Sequence, residues 1–331
     1  MDYLTSKFYL FLSNNAFLRR IINFLRAELR AFSLRIKYYK LFAPKGDKCM
    51  VLMIDGKLRH GGLADRLYGI LNTYAYCKKN DLVFKLLFCS PFDLSLLLQP
   101  NSYDWKSFKL SYSLFNTSLK VRTGEEYAFR GFHLRRQTHI YSNGHNLKQL
   151  NAIYSSNYSY GMLYNELFKP SNQLQRQIDA ITNSLGNNYV AVCFRFQNLL
   201  GDFSERNYKE LDDVEKNMLL DLCERAINKL LTKHIDILVT SDSITCLNKL
   251  SKQKRIHVFP GRVVHLDFSN NEPLSVYEKS FLDFYLLGNA SLVYNIYGHG
   301  LRRSGFPAFA AEILGSKFIS LDIDKYLLNV N

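Results

Sequence analysis

Residues 189–202 read YVAVCFRFQNLLGD. Six apolar residues run unbroken from Tyr189 to Phe194, and the run stops at Arg195. A short continuous apolar run of this kind predicts a strand buried on both faces, as in a parallel sheet covered by helices. Upstream, Gln173–Leu185 has helical spacing and closes on Gly186, Asn187 and Asn188. Downstream, Asp212–Leu231 is helical, with its acids early and Lys229 late, as the helix dipole favours. Strands over Ile235–Thr240 and Ile256–Phe259 come next. A helix over Val276–Leu287, a strand over Ser291–Tyr294, a helix over Gly305–Leu314 and a strand over Lys317–Ser320 complete the chain. Strict β and α alternation from about residue 186 predicts an α/β layer architecture.

The N-terminal half opens in the same way. Met50–Ile54 predicts a strand ending at Asp55 and Gly56, Leu63–Lys79 a helix, and Leu82–Phe88 a second strand. That is the unit of a parallel sheet. Residues 101–157 are polar, rich in Tyr and Ser, and carry no readable period. The expected organisation is a basic helical segment over 1–45, one α/β domain over 46–185 and a second over 186–331.

The chain has 331 residues, 47 % of them hydrophobic and 22 % charged, which excludes a disordered chain. Its 43 Lys and Arg against 29 Asp and Glu give a net charge of +14, so anionic partners are favoured. Half of that excess lies in the first 48 residues. There the apolar run Phe8–Leu12 is too short for a signal peptide, and Arg19, Arg20, Arg26 and Arg30 interrupt any membrane span. Leu18, Ile21, Ile22, Leu25, Leu29, Phe32 and Ile36 share one helical face, with Arg19, Arg26, Arg30 and Lys37 elsewhere. A basic amphipathic helix of this type lies on an anionic membrane surface, or else packs on the protein's own core. The six cysteines form no CxxC pair and lie in apolar stretches, which predicts buried free thiols in a reducing cytoplasm. His133, His139 and His145 lack convincing zinc spacing.

Ligands of open α/β sheets sit at the carboxyl ends of the strands, and three segments fall there. The first is Gly61-Gly62-Leu63-Ala64-Asp65-Arg66. Its glycines permit a tight loop whose amides, with Arg66, would hold an anion; a plain turn is the alternative. The second is Arg195 with Gly201 and Asp202. A guanidinium at the end of a buried strand needs a partner, either a ligand phosphate or an ion pair with Asp202 or Glu205. Asp202 and Glu205 are candidate general bases, or helix caps. The third holds Asp283, inside an apolar helix, and the run Gly298-His299-Gly300-Leu301-Arg302-Arg303-Ser304-Gly305. Glycines, arginines and a serine before a helix form an anion cradle, or a surface loop. Asp322 and Asp324 read as surface acids. No P-loop and no HExxH motif occurs.

Taken in order, these segments resemble the NodZ-like and protein O-fucosyltransferase superfamily over roughly residues 50–320. Gly61–Arg66 is similar to the family's GGxGN[QR] loop, with Ala64 and Asp65 in place of Gly and Asn. Cys193-Phe194-Arg195 with Gly201-Asp202 is similar to HxRxGD, with Cys193 in place of His. Ser241-Asp242-Ser243 is similar to the SDD strand end. Asp283 and Gly298–Gly305 take the places of the acid-bearing helix and the Ser/Gly loop. The resemblance implies a GT-B fold of two Rossmann-like domains facing a cleft, with residues 46–185 on the acceptor side and 186–331 binding the donor. It implies inverting transfer from a nucleotide sugar, GDP-fucose, with no metal cofactor. In that reading Arg195 grips the β-phosphate and helps the nucleotide leave. Asp283 reads guanine, the amides around His299 and Ser304 hold phosphate, and Asp202 takes the acceptor proton. Gly61, Gly62, Asp65, Arg66, Cys193, Asp242, Gly298 and Gly305 complete the donor site. The expected acceptor is a glycan or lipid-linked oligosaccharide of surface polysaccharide, with residues 1–42 at the inner face of the cell membrane. Another nucleotide sugar, a non-catalytic glycan binder and a nucleic-acid binder are the alternatives. No nucleic-acid module appears, which counts against the last.

Overall fold

The computed structural model describes residues 16–122, 135–144, 146–186, 188–203, 210–234, 236–259, 261–269 and 272–328. Glu205, His133, His145, Asn187 and the run Phe8–Leu12 lie outside them. The chain forms two compact units.

The first unit comprises residues 1–60, 65–90 and 104–158. Helix α1 (Ala16–Tyr38) precedes β1 (Cys49–Ile54), α2 (Leu63–Lys79) and β2 (Phe84–Phe88). Strands β4 (Thr117–Arg122) and β5 (Gln137–Ser142) and helix α3 (Leu147–Tyr154) follow. Its four strands are all parallel, in the order β2-β1-β5-β4. Strand β5 was hidden in the unreadable middle because its sequence, QTHIYS, is polar while all six residues are buried. Polar side chains in such a strand must bond one another. His139 does so: Tyr39 Oη lies 2.6 Å from its Nδ1, and Gln137 Oε1 lies 2.9 Å from its Nε2. Gly69 of α2 lies so close to β5 that a Cβ there would stand 2.3 Å from the Ser142 carbonyl oxygen. Helix α1 packs through Ala27, Ala31 and Leu34 rather than through the Leu18–Ile36 stripe. Small side chains allow its backbone to come close to β4.

The second unit comprises residues 61–64, 91–103 and 159–331. The expected junction at 186 therefore falls inside it. Helix α4 (Tyr160–Leu167), strand β6 (Phe168–Pro170) and helix α5 (Asn172–Leu185) belong here. The reason is pairing: β6 runs antiparallel to β3 (Leu98–Pro100), and Gly161 of α4 packs on the Ile313 carbonyl. The main sheet is five parallel strands in the order β11-β10-β7-β8-β9. These are β7 (Val190–Phe194), β8 (Ile237–Ser241), β9 (Ile256–Val258), β10 (Leu292–Tyr297) and β11 (Lys317–Asp322). Helices α6 (Asp213–Leu231), α7 (Ile244–Leu250), α8 (Leu274–Gly288), α9 (Gly305–Leu314) and α10 (Ile323–Leu328) alternate with them. The apolar run that predicted β7 is the central strand, buried along its whole length. Asp212 starts α6 through a capping box with Glu215. None of the six cysteines is in a disulfide; five are buried, whereas Cys89 is exposed.

Burial lowers the His139 imidazole pKa from 6.5 to about 3. A base depressed in the folded state stabilises the fold above pH 6.5 and loses that contribution as pH falls toward 3. Urea unfolding of the wild type should therefore weaken from pH 7 to pH 5, by at most about 1.4 kcal/mol per pH unit. His139→Gln should flatten that slope; an unchanged slope in the variant would assign the acid sensitivity elsewhere.

Candidate functional site

Strands β7 and β8 end at the same level, since Phe194 pairs with Ser241. Arg195 and Asp242 leave these neighbouring strands side by side. The Asp242 carboxylate is almost fully buried and accepts three donors. Oδ1 takes the Phe196 amide at 2.8 Å, and Oδ2 takes the Gln197 amide at 2.8 Å. Arg195 Nη1 lies 3.1 Å from Oδ2. Gln197 adopts a φ of +57°, a turn that the two amide bonds hold in place. The acid expected to pair with Arg195 was Asp202 or Glu205, and the structure puts Asp242 in that role. The guanidinium also lies 4.5 Å over the Phe203 ring and keeps 22 % of its side chain exposed. Burial raises the Asp242 pKa, while Arg195 and the two amides oppose the shift.

Strand β10 flanks β7 on its other side, with Asn295 opposite Cys193. Asn295 is fully buried. Its Nδ2 donates to the Cys193 carbonyl at 3.4 Å, and its Oδ1 accepts the Ser304 amide at 3.0 Å. Between them the chain makes a sharp loop. Gly298, His299 and Gly300 have φ values of +98°, +50° and +91°, which glycines at two of three positions make affordable. Gly298 and Leu301 exchange backbone bonds, and the Arg302 amide donates to the Arg195 carbonyl at 2.9 Å. Ser304 Oγ accepts the Phe306 amide and caps α9, which Gly305 opens. Arg195, the 298–305 loop and the positive end of α9 are thus tied into one framework at the strands' carboxyl ends. Such a framework attracts anions. The Ser304 amide, expected to hold phosphate, is instead taken by Asn295. Asp324, read as a surface acid, faces this loop with Oδ1 at 3.3 Å from His299 Nδ1.

The other predicted residues divide. Asp202, the expected base, turns Oδ2 to the start of α7, where it accepts the hydroxyl of the N-cap residue Ser243 and the Thr245 amide, both at 2.8 Å. Asp283 is not on a solvent face. It is buried and ion-paired with Lys279 one turn earlier. Burial raises the Asp283 pKa, and Lys279 opposes the shift. Cys193 is buried near Asp242 and Asp283, and burial pushes its thiol up to about 12, so it stays neutral. Gly61 and Gly62 make the expected turn, but the anion on the Gly61 amide is the protein's own Asp267, 2.7 Å away. Asp65 lies in the first turn of α2, within the first unit. Arg66, also in that unit, is buried over the Phe88 ring and donates to the Ser90 carbonyl at 2.7 Å. These contacts brace the end of β2. Sequence reasoning missed Asn295, Phe203 and Asp267. A polar Asn in the apolar run 292–297 was the one available signal. Among the described residues no three His, Cys, Asp or Glu side chains gather as a metal ion would require.

Asp242→Ala should cost about 3–5 kcal/mol, because it leaves a guanidinium and two buried amides without their acceptor. Asn295→Ala should cost less, about 1–3 kcal/mol. Urea unfolding measures both, and equal small losses would mean that the loop is not held as described.

No protein-family model and no curated protein matches the sequence. The fold does match solved structures. NodZ alpha-1,6-fucosyltransferase co-crystallized with GDP aligns at a TM-score of 0.52 and 11 % identity, covering 83 % of this chain and 96 % of that one. The same enzyme soaked with GDP-fucose aligns at 0.51 and 11 % identity, covering 84 % and 96 %. Fucosyltransferase NodZ from Bradyrhizobium aligns at 0.52 and 11 % identity over the same shares. At this identity the likeness establishes a shared architecture: this chain has the mixed α/β, parallel-sheet fold of the NodZ fucosyltransferases.

Proposed function

We propose that the chain is an inverting glycosyltransferase that uses a nucleotide sugar, GDP-fucose, and needs no metal. The observation that carries this reading is Arg195. It stands at the carboxyl end of the central strand, held by Asp242 and backed by the 298–305 loop and the α9 N-terminus. When a sugar–diphosphate bond breaks, negative charge grows on the β-phosphate. A fixed guanidinium and a helix N-terminus stabilise that charge in the transition state more than in the ground state. The donor assignment is supported by the likeness to a fold that binds GDP in the NodZ structure. As the bond from the anomeric carbon to the diphosphate breaks, an acceptor hydroxyl attacks the opposite face of the sugar and inverts the anomeric centre, and its proton passes to water while the electron pair leaves with the diphosphate beside Arg195. Asp202 stays bonded to the start of α7 in this scheme and is no longer assigned as the base. The acceptor is a glycan or lipid-linked oligosaccharide of surface polysaccharide or glycoconjugate synthesis, met in the cytoplasm at the inner face of the membrane.

Thermal unfolding with GDP, UDP, CMP, ADP and TDP tests the donor. A ligand bound only by the native state raises the melting temperature. GDP should do so selectively, and Arg195→Ala should abolish the shift. Shifts with UDP or CMP instead would change the sugar donor, and no shift at all would favour a glycan-binding protein.

With GDP-fucose and an acceptor glycan, Arg195→Ala should lower kcat/KM by about 10²–10³. Arg195→Lys should restore only part, because an ammonium lacks the planar fork. Asp202→Asn keeps an accepting oxygen and should leave turnover within a few-fold. A collapse in Asp202→Asn equal to that of Arg195→Ala would return Asp202 to the role of base.

A further inference from the structure

Helix α1 is built the opposite way to an ordinary docked amphipathic helix. Its contact with the first unit runs through Ala27, Ala31 and Leu34. Its large apolar side chains, Ile21, Phe24, Leu25, Leu29, Phe32 and Ile36, are 40–68 % exposed among the described residues. By the helical period of about 3.6 residues, Arg26, Arg30 and Lys37 form a column beside this stripe. All three are exposed. The only acid from residue 16 to residue 42 is Glu28. The surface continues past the helix. The Lys40 amide donates to the Tyr112 carbonyl, and the Leu114 amide donates to the Lys40 carbonyl. This pairing brings exposed Phe115 toward exposed Leu41 and Phe42, the last of them 94 % accessible.

We infer that this face of α1, extended by Leu41, Phe42 and Phe115, is a docking surface for an anionic lipid bilayer. A stripe of large apolar groups beside cations, on a helix packed against a folded unit, matches the boundary between headgroups and acyl chains. The aromatic and aliphatic side chains enter the acyl boundary, while Arg26, Arg30 and Lys37 stay level with lipid phosphates. The helix lies in the interface rather than crossing it, since no described helix is long and apolar enough to span a membrane. A second copy of the chain is a poorer occupant. It would bring the same cations to the same face, and the chain carries +14 overall. The inference deepens the membrane placement proposed above and does not rest on the identity of the donor.

The test is sedimentation of the full chain with vesicles of pure phosphatidylcholine and of phosphatidylcholine with 30 % phosphatidylglycerol. The wild type should sediment with the anionic vesicles and stay in solution with the neutral ones. Leu29→Ser/Phe32→Ser should abolish sedimentation, and Arg26→Glu/Arg30→Glu should weaken it by roughly 30-fold or more. These positions are exposed, so thermal unfolding should be unchanged in both variants. Wild-type protein that stays in solution with both vesicles overturns the inference, as do variants that sediment like wild type. Variants that turn a wild-type dimer into a monomer without altering sedimentation assign the face to a second copy. The GDP-dependent melting shift, measured on the same samples, reads the donor site separately.

Discussion

The second unit depends on the Asp242 carboxylate. One buried group at the end of β8 satisfies two amides of the turn after β7 and the guanidinium that follows that strand. Removing it from water is costly, and only the three donors make its burial tolerable. Because each donor comes from residues 195–197, the burial of one acid fixes the direction in which Arg195 leaves the sheet. Asn295 does the corresponding work on the other side of β7. It ties the Ser304 amide to the Cys193 carbonyl and so sets the 298–305 loop against the same strand. A single cation is thereby held between two buried polar anchors, one on each neighbouring strand. That is preorganisation in the sense required for charge stabilisation: the geometry is set before any ligand arrives.

Much of this was legible in the sequence because the physics is local. Unbroken apolar runs marked β1 and β7, and 3.6-residue spacing marked α2, α6 and α9 within a residue or two of their observed ends. Strand β5 was not legible. Its buried polar residues satisfy one another across 100 residues of chain, as with Tyr39 and His139. The site shows the same division. Arg195 at a strand end announced itself, since the strand was plain and the charge at its end was not. Its true partner did not, because Asp242 lies 47 residues away and Asp202 is closer along the chain. Asp202 and Arg66 were drawn into the expected site by their motif positions. Their contacts with the Thr245 amide and the Ser90 carbonyl could not be read from those positions. Asn295 was missed because an amide within an apolar strand shows its importance only when its two bonding partners are known.

Charge and apolarity are divided along the chain in a way that composition alone conceals. Half of the basic excess sits in the first 48 residues, and among the described side chains there Arg26, Arg30 and Lys37 are exposed on α1. In the second unit Arg195 is paired with the buried Asp242. Under the two proposals these are different uses of Lys and Arg: the first would meet a broad, diffuse field of anions, and the second a single anion at a fixed position.

The two units are interleaved in sequence. The second takes residues 61–64 and 91–103 from the N-terminal half, and β6 finds its partner, β3, in the latter segment. Cutting the chain between residues 158 and 159 therefore cannot release the second unit whole. A fragment beginning at 159 would expose the open edge of β6 and lack the aromatic ring of Phe92 that stacks on Tyr277 at 4.8 Å. During synthesis the 91–103 segment emerges long before its partners and must wait for them. Fragment expression and domain exchange in this protein are consequently limited by topology: a separable version of the second unit has to carry residues 91–103 along with it, by permutation or by grafting.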